Sequence, residues 1–314
     1  MLIGSLIIST PIVTTRTVRC DYCDPMVTIG LRTNAETMID RELHFFLLPT
    51  HSMASADLIP VINVTPLFDG TLQTTTPSPA VLETVRAIHE ACTSTGFFQV
   101  VGTNVSPLLT KSLQACLERF FSLPDEEKLA LHVEKGGPAW RGYMPWGGEG
   151  TKGRPDMKEG LYAGAEHTEE HPLFGNPIYG RNQFPDDKIP ELRAVVLNYI
   201  DEITKLGKVL CDAMSVGLGL EHDYMRKYIL DCPEPVQLFR AFRYCKKESE
   251  DCGVYGIGEH SGILVPCSDT VVVLTARIDF GLLTILSQHG PGLQVRKFAK
   301  SHVVPTDPSS DANP

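Results

Sequence analysis

The hydrophobic period changes along this chain, and that change constrains the fold more than any single motif. Up to about residue 230 the long apolar stripes recur at helical spacing; beyond it the patterned segments are short and extended. The strongest stripe starts near Pro190 and runs to about Val216. Leu192, Val195, Val196, Tyr199, Ile203, Leu206, Leu210 and Met214 share one face of that predicted helix, which must pack against another element. Two earlier helices start on the same signal, a serine N-cap followed by proline at the first helical position: Ser78-Pro79 and Ser106-Pro107. Val81, Val85, Ile88 and Cys92 mark the inner face of the first, and Leu109, Leu113, Cys116, Leu117, Phe120 and Phe121 that of the second. Acidic residues open a third helix within 123–131, where the helix dipole favours them, and a fourth short one is predicted at about 222–230. The extended runs are FFQVVG (97–102), VQLFRAFRY (236–244), VYGIGEH (254–260), DFGLLTIL (279–286) and GLQV (292–295). Helices first and most strands second predict an α+β fold rather than an alternating α/β one.

The flanks carry less pattern. Residues 1–52 sustain neither period and read as a weakly structured N-terminal extension, with a domain beginning at Met53. Residues 136–187 are rich in Gly, Pro and aromatics, a long loop with short strands of the kind that carries function or moves. An N-terminal region thus covers 53–187, a long helix and strand core covers 188–300, and the polar tail 301–314 is expected to be disordered. The formal net charge of −10 argues against nucleic acid or an anionic membrane as the main partner. Nine cysteines without a disulfide-framework spacing point to a reducing, cytoplasmic setting. Cys20 and Cys23 form a CxxC, but the second pair or thioredoxin-like context that a metal or redox role needs is missing. The apolar start MLIGSLIISTPIV is too short to span a bilayer.

The extended runs carry the chemistry. On a strand, residues i and i+2 share a face about 6–7 Å apart. A His-x-Asp tripeptide can therefore supply two ligands of a two-histidine, one-carboxylate iron site, whose open side takes a co-substrate and oxygen. From about Ile59 to Val295 the segments IPVIN, GFFQVVGTNVSP, FFSLPDEEK, RGYMP, MKEGLYAG, NQFP, the long helix, LFRAFRYC, GIGEH, and DFGLLTIL with PGLQV follow one another. In that order they resemble the 2-oxoglutarate and Fe(II)-dependent dioxygenases of the isopenicillin N synthase-like superfamily. The resemblance implies helices followed by a double-stranded β-helix, or jelly roll, with Fe(II) and 2-oxoglutarate as cofactors. It also implies hydroxylation, desaturation or ring closure of a small organic substrate by a monomer. By the same resemblance His260 is the first iron ligand, Asp279 the carboxylate ligand, and Tyr244 the tyrosine whose hydroxyl meets a 2-oxoglutarate carboxylate. Packing in the core is an equally good role for Tyr244. Arg141, Tyr143, Lys158 and Glu159 fall where family members shape the substrate mouth, although solvated surface charge is the commoner fate of such residues.

Two features depart from the family pattern. Eighteen residues, Ser261 to Ile278, stand where one residue should separate His from Asp. The chain also stops 35 residues after Asp279, without the second His or the Arg-x-Ser that the family places farther on. His302 is only a superficial candidate for that ligand, and His289 reads as an exposed turn histidine. The expected architecture is therefore an incomplete jelly roll with its His-x-Asp strand interrupted, as read-through of retained introns would produce. Such a chain is expected to hold iron poorly. A non-catalytic remnant or interaction protein is the rival reading from another class, and an oxidase that dispenses with 2-oxoglutarate is a third.

Overall fold

The computed structural model describes residues 59–94, 96–151, 153–231, 235–244 and 282–289, together with the backbone of strands at 2–9, 15–18, 27–31 and 295–297. In chain order the first strands are β1 (Leu2–Ser9), β2 (Thr15–Val18), β3 (Val27–Leu31) and β4 (Val61–Asn63). Then come helix α1 (Pro79–Ser94), β5 (Phe97–Val101), α2 (Pro107–Phe121) and α3 (Asp125–Leu129). Four short strands follow: β6 (Gly142–Met144), β7 (Gly150–Thr151), β8 (Arg154–Pro155) and β9 (Lys158–Gly164). The long helix α4 (Leu192–Gly217), α5 (Tyr224–Ile229), β10 (Leu238–Tyr244), β11 (Leu282–His289) and β12 (Val295–Lys297) complete the order.

The helix signals act as the sequence predicts. Ser78 Oγ accepts a hydrogen bond from Val81 N at 3.3 Å, and Ser106 Oγ accepts from Leu109 N at 3.4 Å, so each serine satisfies a free first-turn donor. Asp125, Glu126 and Glu127 fill the first turn of α3. The apolar stripe of α4 is buried over most of its length and forms one core with α1, α2 and the sheet.

That sheet has eight strands in the order β4-β5-β3-β11-β1-β10-β9-β6, antiparallel throughout except for the β4–β5 pair. Mixed helix and sheet, with the helices gathered on one face, is the α+β arrangement read from the sequence. The N-terminal segment differs from its reading as weakly structured. β1 pairs with both β10 and β11, and β3 with β11 and β5, so strands from 1–52 sit inside the sheet. A run such as LIGSLIIS gains its partners only from segments more than two hundred residues away, which no local period announces.

Because strand side chains alternate, β9 and β10 present two different surfaces. Leu161, Ala163, Phe239 and Ala241 join the main core against the helices, where the Tyr199 and Phe239 rings meet edge to face at 6.0 Å. Tyr162 and Phe242 belong to a separate, smaller cluster with Val133 and Met144, and Tyr244 packs against it. Among the described residues, no helix is long and apolar enough to cross a membrane.

Candidate functional site

The site is built on this second face, here called the inner face. The β9–β10 register sets Lys158 opposite Tyr244, Gly160 opposite Phe242 and Tyr162 opposite Arg240. The β7–β8 hairpin adds two carboxylates, because Asp156 N donates to Glu149 O at 2.9 Å and fixes the two residues side by side at its base. Lys158 Nζ then reaches Asp156 Oδ2 at 3.1 Å and Glu149 Oε2 at 3.2 Å. Arg240 lies 3.7 Å from the other Glu149 oxygen. Both cations also sit over ring faces: Lys158 Nζ is 4.6 Å from the Phe242 centroid, and Arg240 Cζ is 4.5 Å from that of Tyr162.

The electrostatics follow from this packing. Burial acts to raise the Glu149 carboxyl, but the Tyr162 hydroxyl and the cations Lys158 and Arg240 outweigh it and hold the group below the usual glutamate range. Burial raises the Tyr162 hydroxyl, against the pull of Arg240. Burial, then Asp156 and Glu149, raise the Tyr244 hydroxyl, so both tyrosines stay neutral donors at physiological pH. Tyr162 Oη is buried and closes no hydrogen bond of ordinary geometry, although it lies near enough to Glu149 to favour the ionised carboxylate.

The helix-facing side carries a second charged group. Glu159 Oε2 takes Lys128 Nζ at 2.9 Å and the Tyr143 hydroxyl at 2.7 Å, while Glu159 Oε1 pairs with Arg243. Arg141 braces the neighbouring loop: Nη1 donates to Ala163 O at 2.6 Å and Nη2 to Ile178 O at 2.8 Å. Burial pushes its guanidinium down to about 10, which leaves it a cation at neutral pH. The backbone makes room for this arrangement. A Cβ on Gly164 would lie 2.2 Å from Arg141 Nη1, and one on Gly142, whose φ is +117°, would lie 2.1 Å from Leu131 O.

Of the residues expected from the sequence, Tyr244 is half-buried and lies on the inner face beside Phe242, ring centroids 6.2 Å apart. His260 and Asp279, the interrupted segment between them and His302 lie outside the described residues. Among the described residues, no three His, Cys, Asp or Glu side chains gather as a metal would require. His289 is exposed as expected, but it ends β11 instead of standing in a turn. Solvated surface charge is corrected for the loop and hairpin residues: Arg141, Tyr143, Lys158 and Glu159 are 2%, 2%, 5% and 0% exposed. Each is buried because a partner is buried with it. Sequence reasoning passed over Glu149, Asp156, Tyr162 and Arg240. The alternation in KEGLYAG and LFRAFRY could have found two of them, since Tyr162 and Arg240 share the period-two face of Lys158 and Tyr244.

Comparisons with known proteins find dioxygenase and oxidoreductase relatives. The family described as non-haem dioxygenase in morphine synthesis, N-terminal, matches residues 59–187. The chain is 33% identical over 234 residues to a Dictyostelium discoideum protein named "Probable iron/ascorbate oxidoreductase", an alignment covering 67% of this chain and 59% of that relative. It is 27% identical over 270 residues to the 2-oxoglutarate-dependent dioxygenase tropC of Talaromyces stipitatus, covering 82% of this chain and 74% of that one. Among solved structures, a full-length Neurospora crassa protein in complex with alpha-KG superposes with a TM-score of 0.50 at 19% identity, covering 76% of this chain and 79% of that one. That likeness concerns the fold.

Proposed function

We propose, from the premise that the chain belongs to the 2-oxoglutarate and Fe(II)-dependent dioxygenase superfamily, that it is an oxidoreductase acting on a small organic substrate. Hydroxylation, desaturation and ring closure are the outcomes open to it. Its strands form part of a double-stranded β-helix, and it works as a cytoplasmic monomer. His260 and Asp279 would hold Fe(II), and the Tyr244 hydroxyl would donate to a carboxylate of 2-oxoglutarate. The bound iron and 2-oxoglutarate supply the oxidising chemistry; the protein supplies ligand geometry and an enclosed site.

The observation that carries this reading is the setting of Tyr244. Its hydroxyl is kept protonated by burial, it lies across the ladder from Lys158, and it shares its face with two aromatic rings. A neutral donor beside aromatic rings suits a carboxylate that must be held without being protonated. Lys158 and Arg240 have their charge compensated by Glu149 and Asp156, so they would order the wall rather than compete for the co-substrate.

The test is Fe(II)-dependent decarboxylation of 2-oxoglutarate, read as succinate release, with iron binding titrated on the same protein. Any iron-dependent release is expected to be weak and to need excess iron, because the interrupted His-x-Asp strand holds iron poorly, and Tyr244→Phe is expected to raise the KM for 2-oxoglutarate about tenfold, the worth of one hydrogen bond to a charged group. A flat iron titration without succinate release would sink the proposal and leave the non-catalytic remnant or interaction protein.

A further inference from the structure

We propose that Lys158 is a positioning residue for the co-substrate: it cancels the charge of Glu149 and Asp156 beside Tyr244, so that the Tyr244 hydroxyl can donate to a carboxylate of 2-oxoglutarate without repulsion from its neighbours. This deepens the oxygenase reading above and rests on it for the place of 2-oxoglutarate.

The ladder brings the groups together. Lys158 stands opposite Tyr244 in the β9–β10 register. Phe242 is a neighbour of both: Lys158 Nζ lies 4.6 Å from its ring centroid, and the Tyr244 centroid lies 6.2 Å from it. Lys158 Nζ also holds Asp156 Oδ2 at 3.1 Å and Glu149 Oε2 at 3.2 Å. The β7–β8 hairpin thus delivers two carboxylates to the surroundings of a tyrosine that has to receive an anion.

Their charge reaches the phenol. Asp156 and Glu149 both add to the effect of burial in keeping the Tyr244 hydroxyl protonated. The same field opposes a further carboxylate at that hydroxyl. Where water is largely excluded, one uncompensated charge a few ångströms away changes the affinity of an anion by on the order of tenfold to a hundredfold.

Lys158 is the cation placed to remove that penalty. Its ammonium reaches both carboxylates, whereas Arg240 faces Glu149 at 3.7 Å and lies over the Tyr162 ring at 4.5 Å. Engaged by two carboxylates, Lys158 acts by neutralising them and not as a ligand of 2-oxoglutarate. A neutral side chain in its place would leave the pair facing the co-substrate.

The experiment is calorimetric titration of the full chain with 2-oxoglutarate, in excess Fe(II) and with oxygen excluded so that nothing turns over. Urea unfolding of each variant is followed in parallel. Lys158→Met keeps the length of the side chain and should weaken 2-oxoglutarate about tenfold. Adding Glu149→Gln to Lys158→Met restores the charge balance and should bring the affinity back to within about threefold of wild type. Glu149→Gln alone should bind 2-oxoglutarate about threefold more tightly than wild type, although it is the less stable protein. Affinity and stability moving in opposite directions separates charge from scaffolding, because a lysine that only anchored the hairpin would lose affinity whenever a partner was removed. Unchanged affinity in Lys158→Met, a double variant no better than Lys158→Met, or no tightening in Glu149→Gln would each overturn the inference. Should Lys158→Met fail to fold, Glu149→Gln decides by itself. Wild type that binds no 2-oxoglutarate overturns the oxygenase reading and this inference together, whereas wild-type binding with any of those three results overturns this inference alone.

Discussion

On the helix-facing side of the β9–β10 pair, Glu159 receives Lys128, Arg243 and the Tyr143 hydroxyl; on the inner side, Lys158 receives Glu149 and Asp156, and the Tyr162 hydroxyl lies against Glu149. Residues 158 and 159 are adjacent, oppositely charged and both buried, yet they face different surroundings. The outer group joins helix to strand through ion pairs from α3 and β10. The inner group joins strand to hairpin, Lys158 holding Glu149 and Asp156, and lies across the ladder from Tyr244, the residue proposed to meet 2-oxoglutarate. Burial of charge therefore marks two kinds of place here, one tying helix to strand and one on the face that carries Tyr244.

The sharpest way to break this contrast is to remove Glu159. Glu159→Ala leaves Lys128 buried without its main partner, and loss of one member of a buried pair is expected to cost about 3–5 kcal/mol. Urea unfolding at neutral pH measures it. A cost of under about 1 kcal/mol would make the group equivalent to a surface ion pair and erase the distinction.

The apolar residues sharpen the same comparison at somewhat smaller scale. Phe239→Ala opens the main core and is expected to cost about 3–4 kcal/mol, whereas Phe242→Ala, in the smaller inner cluster, is expected to cost about 2 kcal/mol. Paired denaturation curves decide the order. Equal losses would mean that the inner cluster supports the fold as fully as the main core does. Tyr244→Phe should change stability by no more than about 0.5 kcal/mol, so that its effect on 2-oxoglutarate can be assigned to binding.

Much of the helical half was legible because its signals are local. The two Ser-Pro starts, the acidic first turn of α3 and the α4 stripe each lie within a few turns of the chain, and each appears where the residues put it. The site was less legible. Tyr244 was found through a resemblance, and its period-two neighbours could have been read from alternation alone. Glu149 and Asp156 could not, since a two-stranded hairpin in a Gly-rich loop brings them to Lys158. Lys158 and Glu159 were expected in solvent because charge in a loop usually is, and the partners that bury Glu159 come from α3 and β10. Sheet register is the extreme case: β1 lies between β10 and β11, a placement set by long-range pairing.

The smallest expected effect tests whether the inner charges are coupled as described. Burial favours the neutral form of Glu149, but Tyr162, Lys158 and Arg240 prevail, so its folded pKa lies below the ordinary value of 4.5. A carboxylate depressed in the folded state contributes stability that is complete above its unfolded pKa and disappears as pH falls through the folded value. Glu149→Gln should therefore be less stable than wild type by on the order of 1 kcal/mol at pH 7. That gap should hold constant down to the ordinary glutamate value of 4.5 and close below it. Denaturation of both proteins across that range measures the gap directly. A gap that widened with acid, or never existed, would mean that Lys158 and Arg240 do not hold the carboxylate. The inner charges would then not be coupled as their distances imply.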